Sequence, residues 1–247
     1  MSEHGAILQE TASRVFADLE NADRAQHESA IENSGLSLVL VSEAKGGFGG
    51  GWEDAYRVFF AAGEKALNFP IAEAIIDAAP PAAGWSADKR FHAMALARAG
   101  QMVGAMAGAL ALSIEHTRHR QQFGKPLAAF QAIQQQLAVL AEESAAARAA
   151  SYAAARAADR GDAAFEIACA KLRANIAAGL AASIAHQVHG AIGFTKEYSL
   201  HKFTRCLWVW RSEYGNDRHW ADVIGKTAAA RGAEGFWPGL IEGFHEA

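Results

Sequence analysis

The sequence contains little cysteine and little proline. Its 247 residues include two cysteines and five prolines. Two cysteines are too few for a disulfide scaffold or a cysteine-based zinc site, and their scarcity is typical of a reducing compartment. The long segments without proline are rich in alanine, the strongest helix former, so we expect long helices in the second part of the chain. The prolines are Pro70, Pro80, Pro81, Pro126 and Pro238.

The sequence also lacks a basic excess and a long apolar run. Lys and Arg total 23 against 27 Asp and Glu, which gives a net charge of −4. A general nucleic-acid or acidic-membrane binder needs an excess of positive charge, so we expect neither partner. The unbroken apolar runs are far shorter than the ~18 residues of a transmembrane helix, so no membrane span is predicted. No apolar signal region follows Met1, which makes the cytoplasm the expected location.

Hydrophobic residues recur at helical spacing along most of the chain, which predicts an all-α fold. They make up 51% of the residues, enough for a globular core. In a smaller N-terminal helical region, 1–80, we expect a helix over 4–21, one from Glu53 to Ala66 and a short one after Pro70. The glycines that follow the apolar stretch 36–41 interrupt any regular element.

The clearest break in the chain is the proline- and glycine-containing segment AAPPAAGWSAD, residues 78–88. We interpret 81–88 as a linker and 89–247 as a second region. Short connections between long helices favour an up-and-down four-helix bundle there. The predicted helices cover 88–117, 128–159, 162–189 and 197–212, followed by a shorter one over 216–231.

Three glycines recur at four-residue steps in the first long helix. They are Gly100, Gly104 and Gly108. Glycine in a helix interior costs about 1 kcal/mol relative to alanine. Because a stripe of glycines lets another helix approach closely, we interpret it as a packing face.

No metal site is predicted. A four-helix bundle holds two iron ions when Glu-x-x-His motifs lie on two of its helices, but the one such motif here runs from Glu242 to His245 in the tail. His186 and His189 lie three residues apart without a carboxylate or cysteine nearby in sequence. We interpret these two histidines as polar residues at a helix end.

A first polar stretch suited to a nucleotide is RQQFGKPLAAFQAIQ, residues 120–134. Arg120 has a guanidinium that can hold a phosphate through two parallel hydrogen bonds. Phe123 offers a flat face to a ring or a helix. The amide of Gln131, near the start of the next helix, both donates and accepts hydrogen bonds.

A second stretch, QVHGAIGFTKEY, covers residues 187–198. Gln187 offers another amide, and Gly190 and Gly193 leave room for a ligand at the main chain. From the residues alone, helix termination by glycine beside solvated arginines is the simpler interpretation of both stretches.

The two stretches together resemble the acyl-CoA dehydrogenase family. The resemblance rests on Arg-x-Gln-Phe-Gly-Lys-Pro-Leu, a following Phe-Gln, and the later Gln-x-x-Gly and Gly-Phe-Thr-x-Glu-Tyr. Residues 88–232 resemble the family's C-terminal helical domain. The earlier Gly35-Leu36 and Ser42-Glu43-x-x-Gly46-Gly47-x-Gly49 resemble part of its N-terminal helical domain.

The resemblance implies FAD as cofactor and α,β-desaturation of an acyl-CoA thioester. It implies that a carboxylate removes the α proton while the flavin takes a hydride from the β carbon. It also implies that the matching residues contact the pyrophosphate and adenosine half of a neighbouring subunit's FAD. Here those residues are Arg120, Gln122, Phe123, Gln131, Gln187 and Gly190.

The chain departs from the family pattern in the middle. The family places a β-barrel domain between its two helical domains, and that domain covers the flavin ring and much of the acyl-CoA. In this sequence the linker joins the two helical regions directly, and no alternating strand pattern replaces the barrel.

A second departure concerns the catalytic carboxylate. In the stretch that matches the family's base position, Tyr214 precedes Gly215 where a glutamate is usual. A tyrosine with a pKa near ~10 is a poor base at neutral pH. Glu213 is one residue away, turned by roughly 100° on a helix, and serves only if the backbone shifts. The alternative base position, 93–97 on the first long helix, has no carboxylate.

We therefore expect the catalytically incomplete subunit of a heteromeric FAD-dependent acyl-CoA dehydrogenase. A full-length partner subunit would supply the barrel, the base and the substrate pocket. The resemblance to split family members implies a role in lipid or steroid catabolism. Two alternatives stay open, a non-catalytic helical scaffold or interaction protein and a homodimer that uses Glu213 as its base.

Overall fold

The computed structural model describes residues 3–19, 23–67, 69–79 and 87–242 and confirms the all-α fold. The strands in these ranges are β1 (Gln121–Gln122) and β2 (Lys125–Pro126), which pair antiparallel. The helices are α1 (Glu3–Asp18), α2 (Arg24–Ser34), α3 (Trp52–Glu64), α4 (Ile71–Ala78), α5 (Ala87–His119), α6 (Gln131–Ala158), α7 (Ala164–His189), α8 (Leu200–Ser212) and α9 (Asp217–Glu242).

The predicted long helices begin and end within a few residues of α5 to α8. The predicted end at residue 231 matches a break in α9 at Gly232, where φ is +66° and ψ is 177°. The segment after that break continues as helix, which the sequence interpretation omitted. Residues 81–86 of the predicted linker lie outside the described residues, and its last two positions, 87 and 88, belong to α5.

Helix α2 was not predicted because it has almost no apolar face. It is stabilised at its start by a capping box. The backbone N–H of Gln26 donates to Oδ1 of Asp23 at 2.9 Å, and the backbone N–H of Asp23 donates to Oε1 of Gln26 at 2.8 Å. Such a reciprocal cap satisfies two backbone donors that the first helical turn leaves free.

The glycine stripe of α5 packs against α3, as predicted. A Cβ on Gly104 would overlap the carbonyl oxygen of Phe60 in α3. Reciprocally, a Cβ on Gly63 of α3 would overlap the carbonyl oxygen of Gln101. The two helices therefore meet backbone to backbone. This contact fixes the N-terminal region on the bundle.

A second link between the two regions is a helix cap supplied from a distance. The backbone N–H groups of Trp52 and Glu53, at the start of α3, donate to the two carboxylate oxygens of Asp159 at 2.5 and 3.0 Å. Asp159 directly follows α6. A carboxylate at a helix N-terminus pairs with free N–H groups and with the positive end of the helix dipole.

Helices α5 and α7 form the centre of the bundle. By length and composition alone, both are long and apolar enough to cross a bilayer. The two apolar segments lie within Asp88–His119 and Ala164–Phe194. In the structure, 78% and 61% of these apolar segments are buried inside the protein. Such burial is typical of helices in the core of a bundle. Their apolar stretches are interrupted by polar residues, so the search for unbroken runs did not find them.

The aromatic residues of the last two helices divide between core and surface. The Trp-x-Trp pattern of Trp208 and Trp210 favours burial of both side chains. Trp210 is buried, but Trp208 is 54% exposed because it lies on the outer face of α8. Beyond the break in α9, Trp237, Leu240 and Ile241 are exposed, whereas Phe236 contacts Phe165. The tail residues Phe244 and His245 lie outside the described residues.

Candidate functional site

A cleft of about 810 Å³ separates α8 from the N-terminal region. Arg98 lies at its floor and is almost fully buried. Its guanidinium donates to Oε1 of Glu73 at 2.5 Å, to Oε2 of Glu213 at 2.6 Å and to Oε1 of Gln101 at 2.6 Å. The buried cation is therefore compensated by two carboxylates from two other helical segments.

The turn after α8 carries the two residues considered for the base. Glu213 lines the cleft, with its carboxylate held by Arg98. Tyr214 has a left-handed backbone with a φ of +51°, and its ring packs edge-on against Phe91 at 6.1 Å. The turn conformation thus directs the glutamate, rather than the tyrosine, into the cleft. The role of either residue as a base stays a prediction.

A buried lysine, Lys171, binds the backbone of this turn through hydrogen bonds. The ammonium group of Lys171 donates to the carbonyl oxygens of Trp210 at 3.0 Å and Gly215 at 3.3 Å and to Oδ1 of Asn175 at 2.7 Å. Burial lowers the pKa of Lys171 from 10.5 to about 7, although the charges of Asp217 and Glu213 favour its ammonium form. Sequence reasoning missed Lys171. The detectable signal was the Lys171–Asn175 pair at i and i+4 in an alanine-rich helix.

Both candidate nucleotide-binding stretches lie at the same end of the bundle. The imidazoles of His116 in α5 and His189 in α7 stack with ring centroids 4.5 Å apart. Arg120 follows His116 by one helical turn, and Gly190 directly follows His189. The stacked pair therefore brings the two stretches together. Burial and the nearby Arg120 charge lower the pKa of His116.

The residues of the first stretch are exposed to solvent. They lie on a short hairpin formed by β1 and β2, whose turn has Phe123 at a φ of +52° and Gly124 at +78°. Phe123 is 91% exposed. The nearest aromatic contact of its ring is an edge-on contact with Phe130 at 6.2 Å. An exposed phenyl ring gains nothing from burial within its own chain, so it is available to a ligand or another subunit. Arg120, Gln122 and Gln131 are exposed as well.

The second stretch borders a separate groove of about 650 Å³ between α7 and the segment leading to α8. Gln187 and Gly190 both line it and are exposed. Gly190 has a φ of +63° and ψ of −144°, and a Cβ there would meet nothing within 4 Å. Its backbone is therefore open to a ligand. The exposed amides, open glycine and cationic Arg120 fit the adenosine and pyrophosphate half of FAD.

The histidines singled out in the sequence have partners within the fold. Nε2 of His186 lies 3.1 Å from Oγ1 of Thr204. Nδ1 of His189 lies 2.7 Å from the carbonyl oxygen of Ala185, and its Nε2 lies 3.2 Å from the hydroxyl of Tyr198. Across the described residues, no cluster of three or more His, Cys, Asp or Glu side chains is arranged to hold a metal ion.

Comparison with known proteins identifies the class. The family model "Acyl-CoA dehydrogenase, C-terminal domain" matches residues 83–228, more than half of the chain. The chain therefore belongs to the acyl-CoA dehydrogenase family. One curated relative is the acryloyl-CoA reductase (NADH) of Anaerotignum propionicum, 38% identical over 106 residues, which are 42% of this chain and 27% of the relative. The chain spans about a quarter to a third of the length of the curated relatives it matches.

Two solved structures share the fold. The Tcur3481–Tcur3483 steroid acyl-CoA dehydrogenase variant superposes with a TM-score of 0.82 at 17% identity, covering 92% of this chain and 98% of that one. The ChsE4–ChsE5 complex of Mycobacterium tuberculosis superposes with a TM-score of 0.81 at 15% identity, covering 93% and 98%. At these identities the likeness establishes the fold alone.

Proposed function

We propose that this chain is the catalytically incomplete subunit of a heteromeric FAD-dependent acyl-CoA dehydrogenase. In this proposal it contributes contacts to the adenosine and pyrophosphate half of FAD. A full-length partner subunit supplies the barrel domain, the base and most of the acyl-CoA pocket. Family membership supports an oxidoreductase role. The heteromeric arrangement is suggested by the names of the two structural neighbours, each of which pairs two different chains.

The observation that carries the proposal is a division between the two candidate sites. At one end of the bundle, the residues that match the nucleotide motifs are exposed and gathered by the His116–His189 stack. At the cleft, Glu213 is tied to Arg98, and no barrel lies within the described residues. The chain thus offers a surface for another subunit's nucleotide but only an open, ion-paired cleft for a substrate.

The residues that would hold FAD have distinct tasks. The Arg120 guanidinium donates to the pyrophosphate, for which its planar fork is suited. The amides of Gln122, Gln131 and Gln187 pair with ribose hydroxyls or the adenine edge. Gly190 lets the nucleotide approach the main chain. When bound, FAD supplies the acceptor for the hydride that leaves the substrate's β carbon.

The decisive experiment is co-purification with a full-length acyl-CoA dehydrogenase encoded by a neighbouring gene, followed by measurement of flavin absorbance per complex. We expect Arg120→Ala to release most of the FAD without dissociating the two chains. Arg160→Ala removes an equally exposed cation just after α6, at the opposite end of the bundle, and should leave the flavin content unchanged.

Two results would overturn the proposal. Unchanged flavin content in the Arg120→Ala complex would support the non-catalytic scaffold instead. An isolated chain that binds FAD stoichiometrically and oxidises acyl-CoA would support a self-sufficient enzyme.

A further inference from the structure

Two stacked histidines, His116 and His189, join the ends of the central helices α5 and α7. Their ring centroids lie 4.5 Å apart and their planes are 27° from parallel. The ring of His189 is buried and that of His116 is half-buried. The carbonyl oxygen of His116 accepts the backbone N–H of Arg120 at 2.8 Å, and the backbone N–H of Gly190 donates to the carbonyl oxygen of His186. This histidine pair therefore lies beside the last backbone hydrogen bonds of both helices.

The hydrogen bonds of His189 fit a neutral imidazole. Its Nδ1 lies 2.7 Å from the carbonyl oxygen of Ala185, which only accepts, so the ring proton is assigned to Nδ1. Its Nε2 lies 3.2 Å from the hydroxyl of Tyr198 and is then free to accept the hydroxyl proton. A second proton would turn Nε2 into a donor, and the Tyr198 hydroxyl would have to rotate to accept it.

The surroundings of the pair also oppose a positive charge. Burial lowers the pKa of His116, and the guanidinium of Arg120 on the same helix lowers it further. Burial lowers the pKa of His189 as well, and the neighbouring His116 and His186 add to this effect. A proton on one imidazole of the stack therefore meets Arg120 and makes a proton on the other imidazole less favourable.

The remaining neighbours do not compensate a charge on the pair. Burial raises the pKa of Tyr198, and the charge of Glu115 on α5 adds to this rise, so the hydroxyl stays protonated at neutral pH. Tyr198 packs against an apolar cluster of Ala109, Ala185 and Leu200 from α5, α7 and α8, which contributes no charge.

We propose that the histidine pair makes the nucleotide-binding end of the bundle sensitive to acid. At neutral pH both rings are neutral, and their stack holds Arg120 close to the segment of Gln187 and Gly190. A proton on either ring favours its escape from the stack into water. The ends of α5 and α7 then separate, and the hold on the nucleotide weakens. This effect on FAD rests on the proposed function, whereas the opening of the stack does not.

The direction of the pH effect follows from proton linkage. An imidazole released to water has the ordinary pKa of 6.5, whereas both stacked rings have lower pKa values. The open form therefore binds more protons than the closed form, so opening is favoured as the pH falls below 6.5. One proton taken up on opening shifts the equilibrium by at most about tenfold per pH unit. Above that range the pair contributes no pH dependence.

The first test uses the full chain without flavin. NMR titration of the imidazole protons measures both pKa values, and hydrogen exchange at pH 5.5 and 7.5, corrected for the intrinsic rate, measures opening at the amides of Arg120 and Gly190. We expect both pKa values below 6.5 and up to about tenfold weaker protection per pH unit in acid. His116→Phe keeps a flat ring but binds no proton, so it should reduce the acid response and raise the pKa of His189.

His219→Phe provides a matched control at the other end of α5. The ring of His219 contacts Phe91 and Trp220, with centroids 5.5 and 4.7 Å away. This variant should keep the full acid response at Arg120 and Gly190. The inference is overturned if both histidines of the pair titrate at 6.5 or above, a result that needs no variant to fold. Equal acid responses in the unmodified chain and His116→Phe would overturn it as well.

The second test measures flavin release from the reconstituted complex between pH 7.5 and 5.5. We expect the unmodified complex to lose flavin in acid and the His116→Phe complex to retain more of it. Equal loss from both complexes rejects this inference alone. Failure of the proposed function is a different result, namely unchanged flavin content in the Arg120→Ala complex at neutral pH.

Discussion

Lys171 donates to the carbonyl oxygen of Trp210, 39 residues later in the chain, at 3.0 Å, and the lysine is completely buried. The same ammonium reaches Gly215 in the turn after α8. A cation at the C-terminal end of a helix pairs with its free carbonyls and its negative dipole end. One buried side chain thus holds the end of α8 and the turn that presents Glu213.

This arrangement predicts an unusual pH dependence of stability. Burial lowers the folded-state pKa of Lys171 to about 7, while the unfolded chain keeps the ordinary 10.5. Between these values the unfolded state binds more protons, so the free energy of unfolding should rise with pH. For this group alone the slope is about 1.4 kcal/mol per pH unit. Below about pH 7 the burial penalty is fully present and the slope should disappear.

The measurement compares the unmodified chain with Lys171→Met by urea unfolding between pH 6 and pH 9. The difference between the two proteins isolates Lys171 because all other titrating groups are shared. Relative to Lys171→Met, the unmodified chain should gain stability above pH 7. Parallel stability curves across this range would show that Lys171 keeps its proton in the folded state.

A second prediction concerns Glu213 in the heteromeric complex. Arg98 already binds the carboxylate of Glu213, and the proposed function assigns the base to the partner subunit. On that proposal Glu213→Gln should leave turnover within about twofold. The glutamine can still accept a hydrogen bond from Arg98, so the fold is preserved. If Glu213 were the base, the loss would be of the order of 10²–10⁴-fold. Steady-state rates of the purified complexes separate these outcomes and with them the homodimer alternative.

A third prediction tests the contact between α3 and α5. Gly104→Ala places a methyl group against the carbonyl oxygen of Phe60, where neither backbone can yield without separating the helices. We expect a loss of about 3 kcal/mol in the free energy of unfolding, at the upper end for overpacking. Gly225→Ala is the matched control, because a Cβ at this helical glycine meets nothing within 4 Å. It should be neutral or stabilise by up to ~1 kcal/mol. Similar losses in both variants would contradict the packing account.

A fourth prediction concerns the cap that Asp159 provides to α3. Asp159→Ala removes the acceptor of the Trp52 and Glu53 N–H groups and should cost about 1–2 kcal/mol. Hydrogen exchange should rise first at the start of α3. The control is Asp222→Ala, whose partner Lys226 and own side chain are 77% and 58% exposed, so its loss should stay below ~1 kcal/mol. An unchanged exchange rate at Trp52 would show that another group caps the helix.

Much of the fold was predictable because α5 to α8 combine helix-forming alanine with regular apolar spacing. The packing role of the glycine stripe in α5 was also predictable, because repeated glycine in a helix allows another backbone to approach closely. Helix α2 was not predictable from periodicity, because its stability comes from a capping box. The predicted burial of Trp208 was wrong, because an isolated Trp-x-Trp pattern does not indicate which of the two residues faces the core.

The candidate site was predictable only as a set of motifs. Resemblance brought Arg120 and Gln187 forward, but their proximity depends on the His116–His189 stack, a contact between residues 73 positions apart in the chain. The Arg98 contacts with Glu73 and Glu213 likewise join three separate helical segments. Pairings over such distances leave no local pattern, so one sequence alone does not reveal them.

The close contact of α3 with α5 has a consequence for anyone who would shorten the protein. One apolar cluster combines Tyr56 and Phe60 with residues of the bundle, and another places Met94 and Ala97 of α5 among N-terminal residues. A truncated fragment that starts at residue 83, where the family match begins, would lack the N-terminal helices that cover α5. An apolar face of α5 would then be exposed to solvent. Such a fragment would precipitate rather than serve as a minimal working unit.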